Sequence, residues 1–291
     1  MSPAPASRRT RGLRRRLRLA TLFVATTFLA LAFVRARERE VAEQRRIASL
    51  ARDNAVAARQ AFDATVREAR TLLQVLAFGV TGLTKQTGDP AFRALAAQTS
   101  LSYAALFALT ENGELIAVAH DSSAAIFPPD CLASATATRG FTVCTPFKRD
   151  RTVPGPWMLT FLQPSRGDGR ALRFAGASIP VDSLEAVRLA RRLPEGSVLT
   201  AFDSIGTVLL RTRNADEWMA RRYPDWRGVE PNIPSPGSDT VIHSEIDQGQ
   251  RLYGKTKSVE AGWVMFVAFR STKRMPRRVG SFCSTCSWAS R

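Results

Sequence analysis

The stretch Tyr103-Ala-Ala-Leu-Phe-Ala-Leu-Thr-Glu-Asn-Gly-Glu-Leu-Ile-Ala-Val-Ala119 sets two apolar runs on either side of five residues with turn chemistry. Asn112-Gly113 supplies the positive φ of a tight hairpin turn, so residues 103–109 and 115–119 read as paired antiparallel strands. The plan recurs. Residues 198–211, Val-Leu-Thr-Ala-Phe-Asp-Ser-Ile-Gly-Thr-Val-Leu-Leu-Arg, again run strand, acidic turn with one glycine, strand, and Gly206 stands 93 positions after Gly113.

Each hairpin precedes a loop-rich segment and then two more strand candidates. These are residues 157–162 and 171–179 in the first case, 251–259 and 263–269 in the second. Two tandem α+β units, each built on an antiparallel sheet, account for this order better than one large sheet. Between them Asp182-Ser-Leu-Glu185 resembles a helix N-cap, and Leu184, Val187, Ala190 and Leu193 line one face of a connecting helix. Residues 218–239 carry Pro224, Pro231, Pro234 and Pro236 among aromatics and read as an irregular, ordered loop.

Upstream, residues 19–34 form the only long stretch without charge, closed by Arg18 and Arg35. Sixteen residues make about 24 Å of helix, a little short of a ~30 Å hydrocarbon core, and the flanking arginines snorkel to cover the difference. Seven arginines and no acid precede the span, which places the N-terminus in the cytoplasm and the body outside it. The rival reading is a cleaved signal peptide with Ala30-Leu-Ala32 as its site, and it exports the same body. From residue 41 to 76 neither Gly nor Pro occurs, which favours one long helix. Its apolar stripe runs through Ile47, Ala51, Ala55, Ala58, Phe62, Val66, Ala69, Leu73 and Leu76. The half near Leu76 is expected to dock on the chain's own sheet and the alanine-rich half to self-associate as a homodimer. Gly79, Gly82, Gly88 and Pro90 end this helix, and residues 91–99 read as a short one.

The net charge of +17 is an effect of the two ends. Residues 1–40 hold ten basic and two acidic residues, residues 270–291 hold six basic and none acidic, and the body is close to neutral. A nucleic-acid partner is therefore not expected, since its basic stripe would lie on the folded body. None of the common hydrolase, zinc-protease, phosphate-loop or dinucleotide motifs is present, so an enzyme is disfavoured and no cofactor is expected. Two histidines, His120 and His243, exclude a His-rich metal site. Cys131 and Cys144, thirteen apart, are candidates for a disulfide in an oxidising compartment, the alternative being two buried thiols. Cys283 and Cys286 have the spacing of a redox pair without its strand-to-helix context.

Membrane span, juxtamembrane helix and two PAS-like units together resemble the double Cache extracytoplasmic sensor domain of bacterial histidine kinases, diguanylate cyclases and chemoreceptors. The resemblance rests on residues 103–113, 201–211 and 252–267 and covers about residues 36–269. It implies a basic cytoplasmic segment (1–18), a transmembrane helix (19–35) and a long helix (36–78). A membrane-distal unit with its connecting helix (79–194) and a membrane-proximal unit (195–269) follow. It further implies a small polar ligand held where residues 120–157 fold over the first sheet, with Asp121, Arg139, Phe147, Trp157 and Asp182 as the chemically useful residues. The amino-acid-binding branch has an Arg-x-Trp-Tyr run that this chain lacks, Trp157 being preceded by Gly155-Pro156. In signalling members a second span and an output domain follow. Here residues 270–291 shift abruptly to Ser, Cys and Arg, which reads as a disordered basic tail of a truncated receptor or of a standalone sensor.

Overall fold

The computed structural model describes residues 7–80, 90, 94, 103–120, 125, 127–148, 154–165, 172–223, 241–244 and 249–270. The expected span and the expected long helix are one element, α1 (Ser7–Val80), 74 residues long. No Gly or Pro occurs from residue 13 to residue 78, so nothing in the chain interrupts the hydrogen-bond ladder. Its apolar stretch is long enough to cross a membrane by length and composition. There Leu22, Phe23, Phe28 and Leu29 are exposed, and the hydroxyls of Thr26 and Thr27 donate to the carbonyl of Phe23 at 2.9 and 2.8 Å, which satisfies both within the helix.

Among the described residues ten strands follow: β1 (Ala105–Thr110), β2 (Leu115–His120), β3 (Thr142–Val143), β4 (Met158–Pro164), β5 (Arg173–Pro180), β6 (Val198–Phe202), β7 (Val208–Arg211), β8 (Val241–Ser244), β9 (Gly249–Lys257) and β10 (Val264–Arg270). They form two five-stranded antiparallel sheets, ordered β2-β1-β5-β4-β3 and β7-β6-β10-β9-β8, which is the same order twice. The two hairpin turns match atom for atom. Gly113 N–H donates to the Thr110 carbonyl and Gly206 N–H to that of Asp203, and the glycines have φ 84° and 85°, where a side chain would be strained. Both hairpins also carry a register shift next to the turn, at Ala108/Leu109 and Ala201/Phe202.

From Ala51 onward the stripe on α1 is buried. Ala51, Ala55, Ala58, Phe62, Val66, Ala69 and Leu73 are 0–2% exposed. The alanines admit the chain's own second sheet: Gly254 on β9 lies against the backbone of Ala51, and Phe62 stacks on Trp263 with ring centroids 4.6 Å apart. Self-association through Ala51, Ala55 and Ala58 is therefore corrected to intrachain packing, because small residues on a helix let a strand approach as readily as another helix. Next to Phe62, buried Asp63 takes hydrogen bonds from the Ser258 hydroxyl and, at 3.3 Å, from Val259 N–H in the β9–β10 turn. Arg70 holds Glu260 of that turn at 2.7 Å and its guanidinium lies 4.8 Å from the Phe141 ring centroid, which in turn stacks on Phe161 of β4. So α1 backs both sheets.

Three local readings change. Within the segment expected to be loop lies α2 (Pro129–Thr138), with proline in its first turn, Asp130 there to complement the helix dipole, and Arg139 ending it in the left-handed region at φ 49°. Only Cys131 and Ala135 of α2 are buried, so it lacked the apolar periodicity that reveals a helix. The connecting helix is α3 (Glu185–Arg191), preceded by a 3-10 turn at Val181–Ser183. Its N-cap is Leu184 and not Asp182. The second unit's loop begins with α4 (Ala215–Trp218) and Arg222 bridging to Thr207, and the rest of it, like the expected helix at 91–99 apart from residue 94, the Cys283–Cys286 pair and the tail, lies outside the described residues.

Candidate ligand-binding face

Strand register sorts the first sheet into two faces. Even-numbered residues of β4 and β5 share a face with the odd-numbered residues of β1, giving one row of Phe107, Gly176 and Leu162 and a second of Ala105, Ser178 and Thr160. This face turns away from α1 toward α2. Its floor is an apolar cluster of Phe107, Leu109, Leu162, Phe174 and the Cys131 and Cys144 side chains, with Phe127 stacked 6.0 Å from Phe107. Gly176 is required here, since a Cβ would meet the Phe107 ring at 2.2 Å. A disulfide joins Cys131 on α2 to Cys144 just after β3, with Cα atoms 5.3 Å apart, and so fastens the helix over the sheet.

In the neighbouring row the hydroxyls of Thr160 and Ser178 lie 2.7 Å apart, and both residues are buried. They are the polar side chains printed into this face by the register of β4 and β5, which otherwise carry Met158, Leu162, Pro164, Phe174, Gly176 and Pro180 there. β1, β4 and β5 place no charged side chain on it. This face thus carries a buried, mutually bonded hydroxyl pair beside an aromatic floor.

The structure does not assemble the five expected ligand residues. Asp121 lies outside the described residues. Phe147 bridges Met158, next to Trp157, and Val181 N–H donates to the Trp157 carbonyl at 2.8 Å, so Phe147, Trp157 and Asp182 share one end of the sheet. Their side chains nevertheless serve other ends. Trp157, being odd-numbered, points off the α2-covered face, and its indole N–H donates to Asp216 of the second unit at 2.8 Å. Asp182 is exposed and paired with Arg191 at 2.6 Å. Arg139 is at the far end of β4: it precedes Thr142, whose partner Leu162 is five residues from Trp157, about 17 Å at ~3.4 Å per residue.

Sequence reasoning missed Thr160, Ser178 and Phe107, whose common face depends on pairing between strands, and also Asp216, whose partners are 59 and 68 positions away. Asp216 accepts from both Trp157 and Lys148, the latter at 2.9 Å, and these two hydrogen bonds, Lys148 first, hold its carboxyl below the usual carboxylate range. Lys148 is buried although its partner keeps most of its own surface in water. The trio joins the first sheet to the second unit at α4.

No family model matches this sequence, and no curated protein does. Solved structures do. The ligand-binding domain of the Pseudomonas aeruginosa PAO1 amino acid chemoreceptor PctB, in complex with L-Arg, is 14% identical. It matches over 77% of this chain and 88% of its own, with a TM-score of 0.55. The ligand-binding domain of the Pseudomonas fluorescens chemoreceptor CtaA, in complex with L-serine, is 12% identical over 80% of this chain and all of its own, TM-score 0.53. The sensory domain of the Campylobacter jejuni chemoreceptor Tlp3 is 14% identical over 78% and 94%, TM-score 0.52. The chain therefore has the double Cache fold, as the resemblance implied: a long helix backing two PAS-like sheets.

Proposed function

We propose that this chain is a membrane-anchored extracytoplasmic sensor whose first unit binds a small, uncharged polar ligand on the α2-covered face. The observation that carries the reading is the sheet order, repeated twice along one helix that continues from an apolar stretch able to span a membrane. The similar domains bind L-Arg and L-serine, whereas β1, β4 and β5 present hydroxyls and rings on the face described here. Asp121, Arg139, Phe147, Trp157 and Asp182 give way to Thr160, Ser178 and Phe107 as the ligand residues of this proposal. The N-terminus lies in the cytoplasm, the body outside it, and α1 carries any change toward the membrane. A ligand shifts that helix only by binding one arrangement better than the other. The role is binding and not catalysis.

Thermal-shift screening of the full chain in detergent against organic acids, amines and neutral heterocycles tests this. A hit should be lost in Thr160→Val and Ser178→Ala, and a melting temperature that stays flat across the screen removes the ligand-sensing reading.

A second reading, a structural and dimerisation module without a ligand, is favoured by the use of Trp157 and Asp182 in internal contacts. Sedimentation of the full chain across concentration decides its homodimer, which a monomer throughout would exclude.

A further inference from the structure

α2 is seated on the first sheet by few of its own residues. Only Cys131 and Ala135 of its ten are buried, and no side chain caps its N-terminus. A helix of this length is marginal in water by itself, so its place over the sheet depends on what ties its two ends. The Cys131–Cys144 bond ties the first turn. At the other end Arg139 leaves the helix in the left-handed region, and after Gly140 comes Phe141, whose ring stacks on Phe161 of β4 at 5.9 Å.

That ring has a second neighbour, the guanidinium of Arg70 on α1, 4.8 Å from its centroid. The same guanidinium reaches the second unit. Its Nη1 donates to the Glu260 carboxylate at 2.7 Å and its Nη2 to the Glu260 carbonyl at 3.4 Å, so both ends of the fork hold one residue of the β9–β10 turn. About two helical turns earlier Asp63 holds the same turn, accepting from the Ser258 hydroxyl and from the Val259 and Glu260 N–H groups at 3.3 and 3.5 Å. Of these two grips, the one at Arg70 is shared with the first unit. A guanidinium that loses its ring returns one side to water, and a solvated guanidinium pairs more weakly with its carboxylate.

We infer that Arg70 is a coupling residue: the seating of α2 on the first sheet and the hold of α1 on the β9–β10 turn depend on each other through Phe141, Arg70 and Glu260. With α2 seated, Phe141 keeps Arg70 aimed at Glu260. With α2 released, Phe141 is freed and the grip at Glu260 weakens while that at Asp63 remains. Coupling of this kind is reciprocal, so a looser turn also unseats α2. As the route of a ligand signal it rests on the binding proposed above for the α2-covered face; as a coupling in the unliganded chain it does not.

Hydrogen exchange of the full-length protein in detergent, read peptide by peptide, tests the coupling without a ligand. Opening the Cys131–Cys144 bond, with a phosphine reductant or in the Cys131→Ala, Cys144→Ala double variant, should speed exchange in residues 129–139 and, about fivefold, in residues 258–261. In Arg70→Met and in Phe141→Leu the turn should already exchange at the faster rate, and opening the bond should add nothing there although α2 still responds. Asp216→Asn, which cuts the contact made by Lys148 and Trp157, should leave the response of the turn whole. An α2 that stays protected once the bond is open, a turn that does not respond in the wild type, or a response that survives in Arg70→Met or Phe141→Leu would each overturn the coupling. Its loss in Asp216→Asn would do so equally, since the units would then be joined chiefly at Lys148 and Trp157. Should opening the bond also unfold β5, the reciprocal measurement decides: Glu260→Gln, with the bond closed, should speed exchange in residues 135–142, and an unchanged rate there overturns the coupling. A flat ligand screen bears on the sensing role alone, and these outcomes bear on Arg70 alone.

Discussion

Gly254 on β9 faces α1 so closely that a Cβ there would meet the Ala51 carbonyl oxygen at 2.2 Å, and backbone cannot swing aside as a side-chain tip can. Gly254→Ala is expected to destabilise the fold by about 3 kcal/mol or more in chemical denaturation. Gly155→Ala, where nothing lies within 4 Å, should stay within about 0.5 kcal/mol of wild type. Asp216 makes a prediction about pH. Its carboxyl is held below the ordinary value of 3.8 by Lys148 and Trp157, so the charged form is the one the folded state favours. Stability from this contact is complete above that ordinary value and is lost as pH falls from it through the lowered folded value. Asp216→Asn should therefore flatten the acid side of a melting-temperature profile below about pH 4 while leaving the profile near neutrality little changed in shape. An unchanged acid limb in the variant would show that the trio does not join the units.

At the scale of elements, the disulfide is the fastening between α2 and the strand edge it covers. Closing so short a loop is worth about 3 kcal/mol in the chain-entropy model, so a reductant should lower the melting temperature, and peptide mass spectrometry without reductant should recover Cys131 linked to Cys144. Free thiols at both positions in exported protein would remove this fastening. The elements that were legible in the sequence are those set by local chemistry. Asn112-Gly113 and Gly206 announce their hairpins because a positive φ is written into single residues, and the uninterrupted run to residue 78 announces α1. α2 was not legible, since two buried residues in ten make no stripe. The candidate site was hidden for a related reason. Whether Trp157 or Thr160 faces a ligand depends on β4 being paired in one register and not the next, and a shift of one residue exchanges the faces.

At the scale of the whole molecule, α1 is both the anchor and the spine. Its first part is apolar and exposed, and its later part is apolar and buried against two sheets. The same helix is gripped in the second unit at Phe62, Asp63 and Arg70 by the turn between β9 and β10, the last strand described. This arrangement has a signalling meaning only if the sheets lie outside the cytoplasm while residues before the span remain within it. The proposed orientation rests on the seven arginines ahead of residue 19, with no acid among them, because basic residues close to a span resist translocation. Alkaline phosphatase joined after Arg270 should then be active, since it folds only where disulfides form, and the same enzyme joined after Arg18 should be inactive. Replacing five of the seven arginines by glutamine should lower the activity of the first fusion by weakening the orientation signal. Activity of the Arg18 fusion with silence of the Arg270 fusion would invert the topology, place the Cys131–Cys144 bond in a reducing compartment, and defeat an extracytoplasmic sensor.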